Sequence, residues 1–352
     1  MGHPGVYLNV IAPRNQCRYP DCYNRWLDVN PVCLMNLSRR ICIGLLLSGL
    51  AASASAQKLT LSIGSGNTGG VFYPLGGALA QILSRTVPGW QVTAEVTGGS
   101  IDNLKLVGSG KADLGFSMAD AAWDAYAGNE KFSGKKLPLR TLAVLYPNRM
   151  HVVTTEAMGI ATMKDLDGKR VSVGSPGGAT EIMALRVLDA FGLTDRVRRE
   201  RLSVNESVNA IKDRKIDAFF WVGGVPTAAI TDLAATPGVT IRLLDHGDAV
   251  DAMNKRHGTL YSRNVIPKSA YTGSAQETSN ANVWNVLVAN ASMPDDVAYT
   301  VVKTLFERKA DMVAVHKEFA TLSLDWQTSG ASPLPFHPGA ARYFAEKGLS
   351  VH

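Results

Sequence analysis

One order of elements occurs twice along this chain, and the duplication sharply limits the folds open to it. LTLSIG (Leu59 to Gly64) alternates apolar and polar residues as a strand does. GSGNTGGVFYP then turns, and Leu75, Ala78, Leu79, Ile82 and Leu83 recur at helical spacing, with Pro74 suited to a first helical turn. The strand QVTAEVT, the turn GGS, a helix from about Ile101 and the apolar strand ADLGFS complete a β-α-β-α-β module. The second half restates this order: strand RVSVGS (Arg170 to Ser175), turn PGGATE, and a helix with Met183, Val187, Ala190 and Phe191 on one face. Strand RLSV, helix ESVNAIKDRK and strand IDAFFWVGG follow. KADLGFSM from Lys111 matches KIDAFFWV from Lys215, so Asp113 and Asp217 occupy one place in two modules and are expected to orient equivalent turns. Strands alternating with helices imply parallel sheets, and two modules of nearly equal length imply two α/β lobes.

Two extended runs link the modules. LRTLAVLYPNRMHVVTT (Leu139 to Thr155) is long enough to cross from one lobe to the other, and VWNVLVA (Val283 to Ala289) is expected to cross back. A long helix opened by Pro294-Asp295-Asp296 follows, its acidic residues complementing the positive helix end. That helix and the C-terminal AARYFAEKG are expected to rejoin the first lobe. The division is thus 57–150 plus 286–352 for the first lobe and 151–285 for the second. Two crossings make a hinge, and a cleft between hinged lobes is a common ligand site.

From Met35 the chain reads MNLSRRICIGLLLSGLAASASAQ. Arg39 and Arg40, an apolar run of about a dozen residues, and Ala54-Ser55-Ala56 make the layout of a secretory signal over 35–56, cleaved after Ala56. The run is short of the roughly 20 residues that span a bilayer. Residues 1–34 lack periodicity, so Met35 is read as the true start and the preceding stretch as a non-native extension; the alternative is a real extension ahead of a signal anchor. Cys17, Cys22, Cys33 and Cys42 all precede Gln57, so the exported chain has no thiol chemistry, and it is expected in the periplasm. With 46% hydrophobic and 19% charged residues the chain is globular, and its net charge of +6 is spread too evenly for a nucleic-acid site. RVRRER (Arg196 to Arg201) reads as a solvated loop.

Few motifs carry chemistry. Gly64-Ser65-Gly66-Asn67-Thr68-Gly69 fits the dinucleotide fingerprint, but that fingerprint requires an acidic residue about 20 positions on, and none occurs before Glu95, which sits inside a strand. There is no G-x-S-x-G, no H-E-x-x-H and no phosphate loop, and His151, His246, His257, His316, His337 and His352 never fall three or four apart. No catalytic residue, metal site or cofactor is expected. The glycine turns suit an anion instead. Asn67 to Gly70 and Pro176 to Thr180 open equivalent helices in two lobes, where unpaired amides and the helix dipole favour a carboxylate. The dipole contributes roughly 0.3 to 1 kcal/mol, and each charge-assisted hydrogen bond roughly 1.5 to 3.

IGSGNTGGVFYPLGGALAQIL, AEVTGGSIDNLKLVGSGKADLGFSMAD, LYPNRMHVV, GKRVSVGSPGGAT, KIDAFFWVGGVPTAAITDLA, MPDDVAYTVVKTLFE and PFHPGAARYF together resemble the TAXI family, the solute-binding receptors of TRAP transporters. The resemblance implies a type II periplasmic-binding-protein fold and capture of a small organic anion, glutamate-like or a dicarboxylate, between hinged lobes. It also implies delivery to a TRAP membrane permease subunit by a monomer. Carried over residue by residue, it places ligand donors at Asn67, Thr68, Gly69 and Gly70 with Tyr73 as a wall, and at Thr97, Gly98, Gly99 and Ser100. Met118 and Asp120 follow the third strand. The second lobe adds Ser175, Gly177, Gly178, Ala179 and Thr180, with Trp221 and Gly223 at the end of its third strand. Core packing would equally explain Tyr73 and Trp221, and a helix cap Asp120. Asn67 and Arg149 depart from the family, which commonly has glycine and an uncharged residue there. A receptor for another transporter or a sensor kinase, and a dinucleotide-binding enzyme, are the alternatives.

Overall fold

A computed structural model describes residues 58–328 and 330–351. The expected signal segment and the stretch before it lie outside the described residues.

The first module consists of β1 (Leu59–Gly64), α1 (Phe72–Thr86), β2 (Trp90–Glu95), α2 (Ser100–Gly108) and β3 (Leu114–Met118). β1 lies between β2 and β3 and is parallel to both, from Leu59↔Trp90 to Gly64↔Glu95 on one side and at Ile63↔Leu114 on the other. The helical spacing has its cause in burial: Leu75, Leu79, Ile82 and Leu83 form the covered face of α1. α3 (Ala119–Ala127) follows directly, and β4 (Leu139–Thr155) then runs into the second module. There β5 (Arg170–Ser172), α4 (Thr180–Ala190), β6 (Arg198–Glu200), α5 (Val204–Lys212) and β7 (Ala218–Gly223) repeat the arrangement, with β5 parallel to β6 and β7. α6 (Ala228–Ala234) stands where α3 stands in the first module.

The paired aspartates show how closely the modules correspond. Asp113 Oδ2 accepts from the Ser62 amide at 2.7 Å, and Asp217 Oδ2 accepts from the Arg170 amide at 2.8 Å. In each case the aspartate amide donates back to the same partner's carbonyl, Asp113 to Ser62 and Asp217 to Arg170. Each carboxylate thus ties the start of a third strand to the module's first strand.

β10 (Thr278–Asn290) lies antiparallel between β3 and β4, and the order from edge to edge is β2-β1-β3-β10-β4-β7-β5-β6. β4 pairs with β10 over its first half and with β7 over its second, from Arg149↔Gly223 to Val153↔Phe219. β8 (Ile241–Leu243) adds to β4, α7 (Ala249–His257) follows, and β9 (Tyr261–Ile266) adds to the start of β10. Arg149 and Asn282, register partners, mark where the two long strands pass between modules. α8 (Asp295–Glu307), α9 (Lys309–Val315) and α10 (Pro338–Glu346) return to the first module. Phe344 meets Phe306 edge to face at 5.6 Å, and Gln327 imitates a strand partner, its amide accepting from Val144 N and donating to Val144 O at 2.8 Å each.

The strands differ from the sequence expectation in several places, and β8 and β9 were not expected at all. RVRRER does not stay a loop: Arg198–Glu200 is the edge strand β6, whereas the following RLSV, expected as the strand, is irregular up to Ser203, the N-cap of α5. All three residues of β6 are exposed, so no alternation of burial marks it, and charged edges resist pairing with other chains. The helix boundary was legible instead as a capping box: Ser203 Oγ accepts from the Glu206 amide at 3.3 Å and Glu206 Oε2 from the Ser203 amide at 2.8 Å. β10 begins at Thr278, upstream of the apolar run, because TSNAN pairs with β9.

Candidate functional site

Three helix N-termini meet at one cavity. Val71, Gly99 and Ala179 are the N-cap residues of α1, α2 and α4, and none carries a side-chain cap. Each N-cap and the first residue of its helix, Phe72, Ser100 and Thr180, lines the same cavity of about 40 Å³. First-turn amides have no partner within a helix, so the cavity wall is rich in donors and carries the positive ends of three dipoles. Among the described residues no lysine, arginine, aspartate or glutamate lines it. The glycine turns make this approach possible: Gly99 adopts φ +117°, and a Cβ on Gly70 would stand 3.0 Å from the Trp221 ring.

Of the residues expected at the site, Asn67, Gly70, Gly98, Gly99, Ser100, Met118, Ser175, Gly178, Ala179, Thr180, Trp221 and Gly223 line this cavity. Asn67 Nδ2 lies 3.4 Å from Gly98 O and 3.5 Å from Ser175 Oγ, so this side chain bridges the two modules. Ser100 Oγ accepts from the Met118 amide at 3.1 Å, and the Trp221 indole donates to Thr227 Oγ1 at 3.0 Å. Trp221 therefore presents its ring, with its donor already engaged.

The other expected residues lie outside the lining. Thr68 Oγ1 accepts from Asn205 Nδ2 at 3.3 Å, and a Cβ on Gly69 would collide with the Asn205 amide. Gly177 packs against the Asp102 carboxylate. Thr97 Oγ1 donates to Asn103 Oδ1 at 2.7 Å, holding an asparagine that in turn donates to Ser65 O and Phe116 O. Tyr73 is 41% exposed and forms no wall.

Asp120 belongs to an interlobe ion cluster. Its carboxylate accepts from the Tyr261 hydroxyl at 2.8 Å and lies 3.5 Å from Arg186 Nη1, while Arg186 Nη2 donates to Asp124 at 2.9 Å. Asp120 also accepts from the Ala121 amide at 2.8 Å, within the first turn of α3. One guanidinium thus faces two buried carboxylates. Burial raises both acids above their ordinary range against the pull of Arg186, Asp124 to about 6.

Sequence reasoning missed Tyr146 and Asn148, which line the cavity from β4. Among the described residues the Tyr146 hydroxyl and Asn148 Oδ1 are buried and have no hydrogen-bond partner. Nothing in the pattern singled them out, because every residue from Leu142 to Tyr146 is fully buried and β4 shows no alternation. Gly66, Val71, Phe72 and Val222 complete the lining. Arg149 stands apart, its Nη1 donating to Glu318 Oε1 at 2.7 Å and its Nε to Asn264 Oδ1 at 3.2 Å. Among the described residues no group of three or more His, Cys, Asp or Glu is placed to hold a metal ion, and no helix is long and apolar enough to cross a membrane.

The chain belongs to the NMT1-like family, which it matches over residues 63–348. In fold it is similar to a solved structure described as a periplasmic transporter, with 12% identity, 76% of this chain and 88% of that chain covered, and a TM-score of 0.50. Other similar structures include the periplasmic aliphatic sulphonate binding protein SsuA from Escherichia coli, at 16% identity, 82% and 90% coverage and a TM-score of 0.44. A putative L-cystine ABC transporter from Listeria monocytogenes matches at 15% identity, 74% and 95% coverage and a TM-score of 0.43. The fold is the two-lobed α/β fold of periplasmic binding proteins.

Proposed function

We propose that this protein is an extracytoplasmic solute receptor of the TAXI type, which captures a small carboxylate between its lobes and presents it to a TRAP membrane permease. The lobes are taken as 57–150 plus 286–352 and 151–285, the chain as a periplasmic monomer without cofactor, and the reading assigns it no reaction of its own. The observation that carries the reading is the meeting of three uncapped helix N-termini, from both modules, at a cavity that no charged side chain among the described residues lines. Such a wall stabilises an anion through amides and dipoles, and an anion bound there draws the lobes together. The dinucleotide reading is weakened by Gly69, which packs against Asn205 instead of opening toward a pyrophosphate.

A thermal-shift series with small carboxylates, paired with small-angle scattering, tests this. A ligand present at 100 times its dissociation constant stabilises the folded state by about 2.7 kcal/mol, and the scattering radius should shrink on binding. Stabilisation by nicotinamide dinucleotide with none by any carboxylate would overturn the proposal.

A further inference from the structure

Tyr146 and Asn148 are two residues apart on the strand that passes between the modules, and both line the cavity. The two residues are 0% and 2% exposed, so neither reaches bulk water. The Tyr146 ring packs against Phe319 with centroids 6.3 Å apart, and its Cε2 lies 3.2 Å from where a Cβ on Gly224 would be. A ring held on two sides does not swing away to find another partner. Burial and the nearby Glu318 carboxylate push the phenol well above its ordinary range, so it stays a neutral O–H donor. Asn148 Oδ1 is an acceptor. Buried polar groups are nearly always hydrogen-bonded, and an exception beside a ligand cavity calls for a partner that the ligand supplies.

We infer that the solute carries a hydroxyl group beside its carboxylate, and that Tyr146 and Asn148 select for it. The inference rests on the receptor reading and deepens it. A hydroxyl accepts from the Tyr146 O–H and donates to Asn148 Oδ1, matching both orphaned groups at once. An ammonium has no lone pair for the Tyr146 proton, and among the described residues no carboxylate in the lining offsets its charge. A second carboxylate satisfies Tyr146 but sets negative oxygen against Asn148 Oδ1. The carboxylate end belongs to the helix N-termini, and the hydroxyl end to β4.

Calorimetric titration with two matched series tests the inference: L-malate, L-aspartate and succinate, then L-lactate, L-alanine and propionate. Within at least one series the hydroxy acid should bind at least about tenfold more tightly than its amino and unsubstituted counterparts, because a site built around a hydroxyl rejects analogues lacking it. Tyr146→Phe and Asn148→Ala should each bring the malate-to-succinate affinity ratio toward one, with circular dichroism confirming the fold. The wild-type series decides the matter even if a variant fails to fold. Binding without preference, or preference for the amino acid, would overturn the inference and leave the receptor reading standing. No binding by any of the six would refute the carboxylate reading and the inference with it.

Discussion

The amide of Asp102 in the first lobe donates to the carbonyl of Gly177 in the second at 3.0 Å, and the Asp102 carboxylate occupies the space that a Cβ on Gly177 would need. Around this pair the lobes meet backbone to backbone. A Cβ on Gly98 would stand 2.6 Å from Pro176 O, and one on Gly178 would stand 3.1 Å from Gly98 O. The glycines of these two turns therefore let the lobes touch, besides letting a ligand approach the amides.

Gly98→Ala should hold the lobes apart while leaving each lobe folded. Its φ is not in the left-handed region, so its own backbone is not strained; the new Cβ meets the Pro176 carbonyl across the cleft, which is fixed backbone, and within its own lobe the Asp102 carboxylate at 2.5 Å, a side chain that can shift. Ligand affinity should fall at least about tenfold and the scattering radius with ligand should stay large. Wild-type compaction in this variant would contradict the assignment of these glycines to closure.

Gly69→Ala should weaken binding through the Asn205 amide, which the new Cβ would strike. Asn205→Ala in the same chain removes the obstacle and should restore much of the affinity. The coupling in a double-mutant cycle is the measurement. If Gly69 instead served the ligand directly, the second substitution would rescue nothing.

Arg186→Met should destabilise the protein by about 3–5 kcal/mol, because it strands two buried carboxylates without a counter-ion. Asp124→Asn should cost far less, since one guanidinium still faces Asp120. The sign of its pH effect follows from the raised value of about 6. Between the ordinary carboxylate range and pH 6 the native state holds more protons than the unfolded state, so this group's contribution to stability falls as pH rises through that window. Asp124→Asn should remove that fall in melting curves recorded from pH 4 to 7.

Two buried histidines act in the opposite direction. His151 is lowered to about 3 and His246 to about 4, mainly by burial. His151 Nδ1 donates to Arg149 O at 3.0 Å and Nε2 accepts from the Tyr271 hydroxyl at 2.9 Å, a neutral ring with both nitrogens used. Below their ordinary value of 6.5 the unfolded state binds the extra protons, so stability is lost as pH falls from there toward 4. His246 alone accounts for about 3 kcal/mol at most over that range. His246→Asn should flatten the acid limb of a plot of stability against pH, and an unchanged slope would place the acid sensitivity elsewhere.

The duplicated order of strands and helices, the glycine turns that open equivalent helices, and the paired aspartates were legible in the amino-acid sequence because each depends on local periodicity or a repeated short motif. Leu75 and Leu79 mark the covered face of α1 by spacing alone, and Asp113 and Asp217 announce their common task by position. The cavity was not legible to the same depth. Tyr146 and Asn148 lie in or beside a strand stretch buried on both faces, where no alternation tells one side from the other. Asp120 resembled a ligand residue until folding set Arg186 and Tyr261 beside it, both distant in sequence. Gly69 and Gly177 differ from the cavity-lining glycines in what stands opposite them in the other lobe, the Asn205 amide and the Asp102 carboxylate. Local patterns determine which elements form, whereas the partner of a buried polar atom depends on how β4 and β10 bring the two modules together, and short-range spacing carries no record of that.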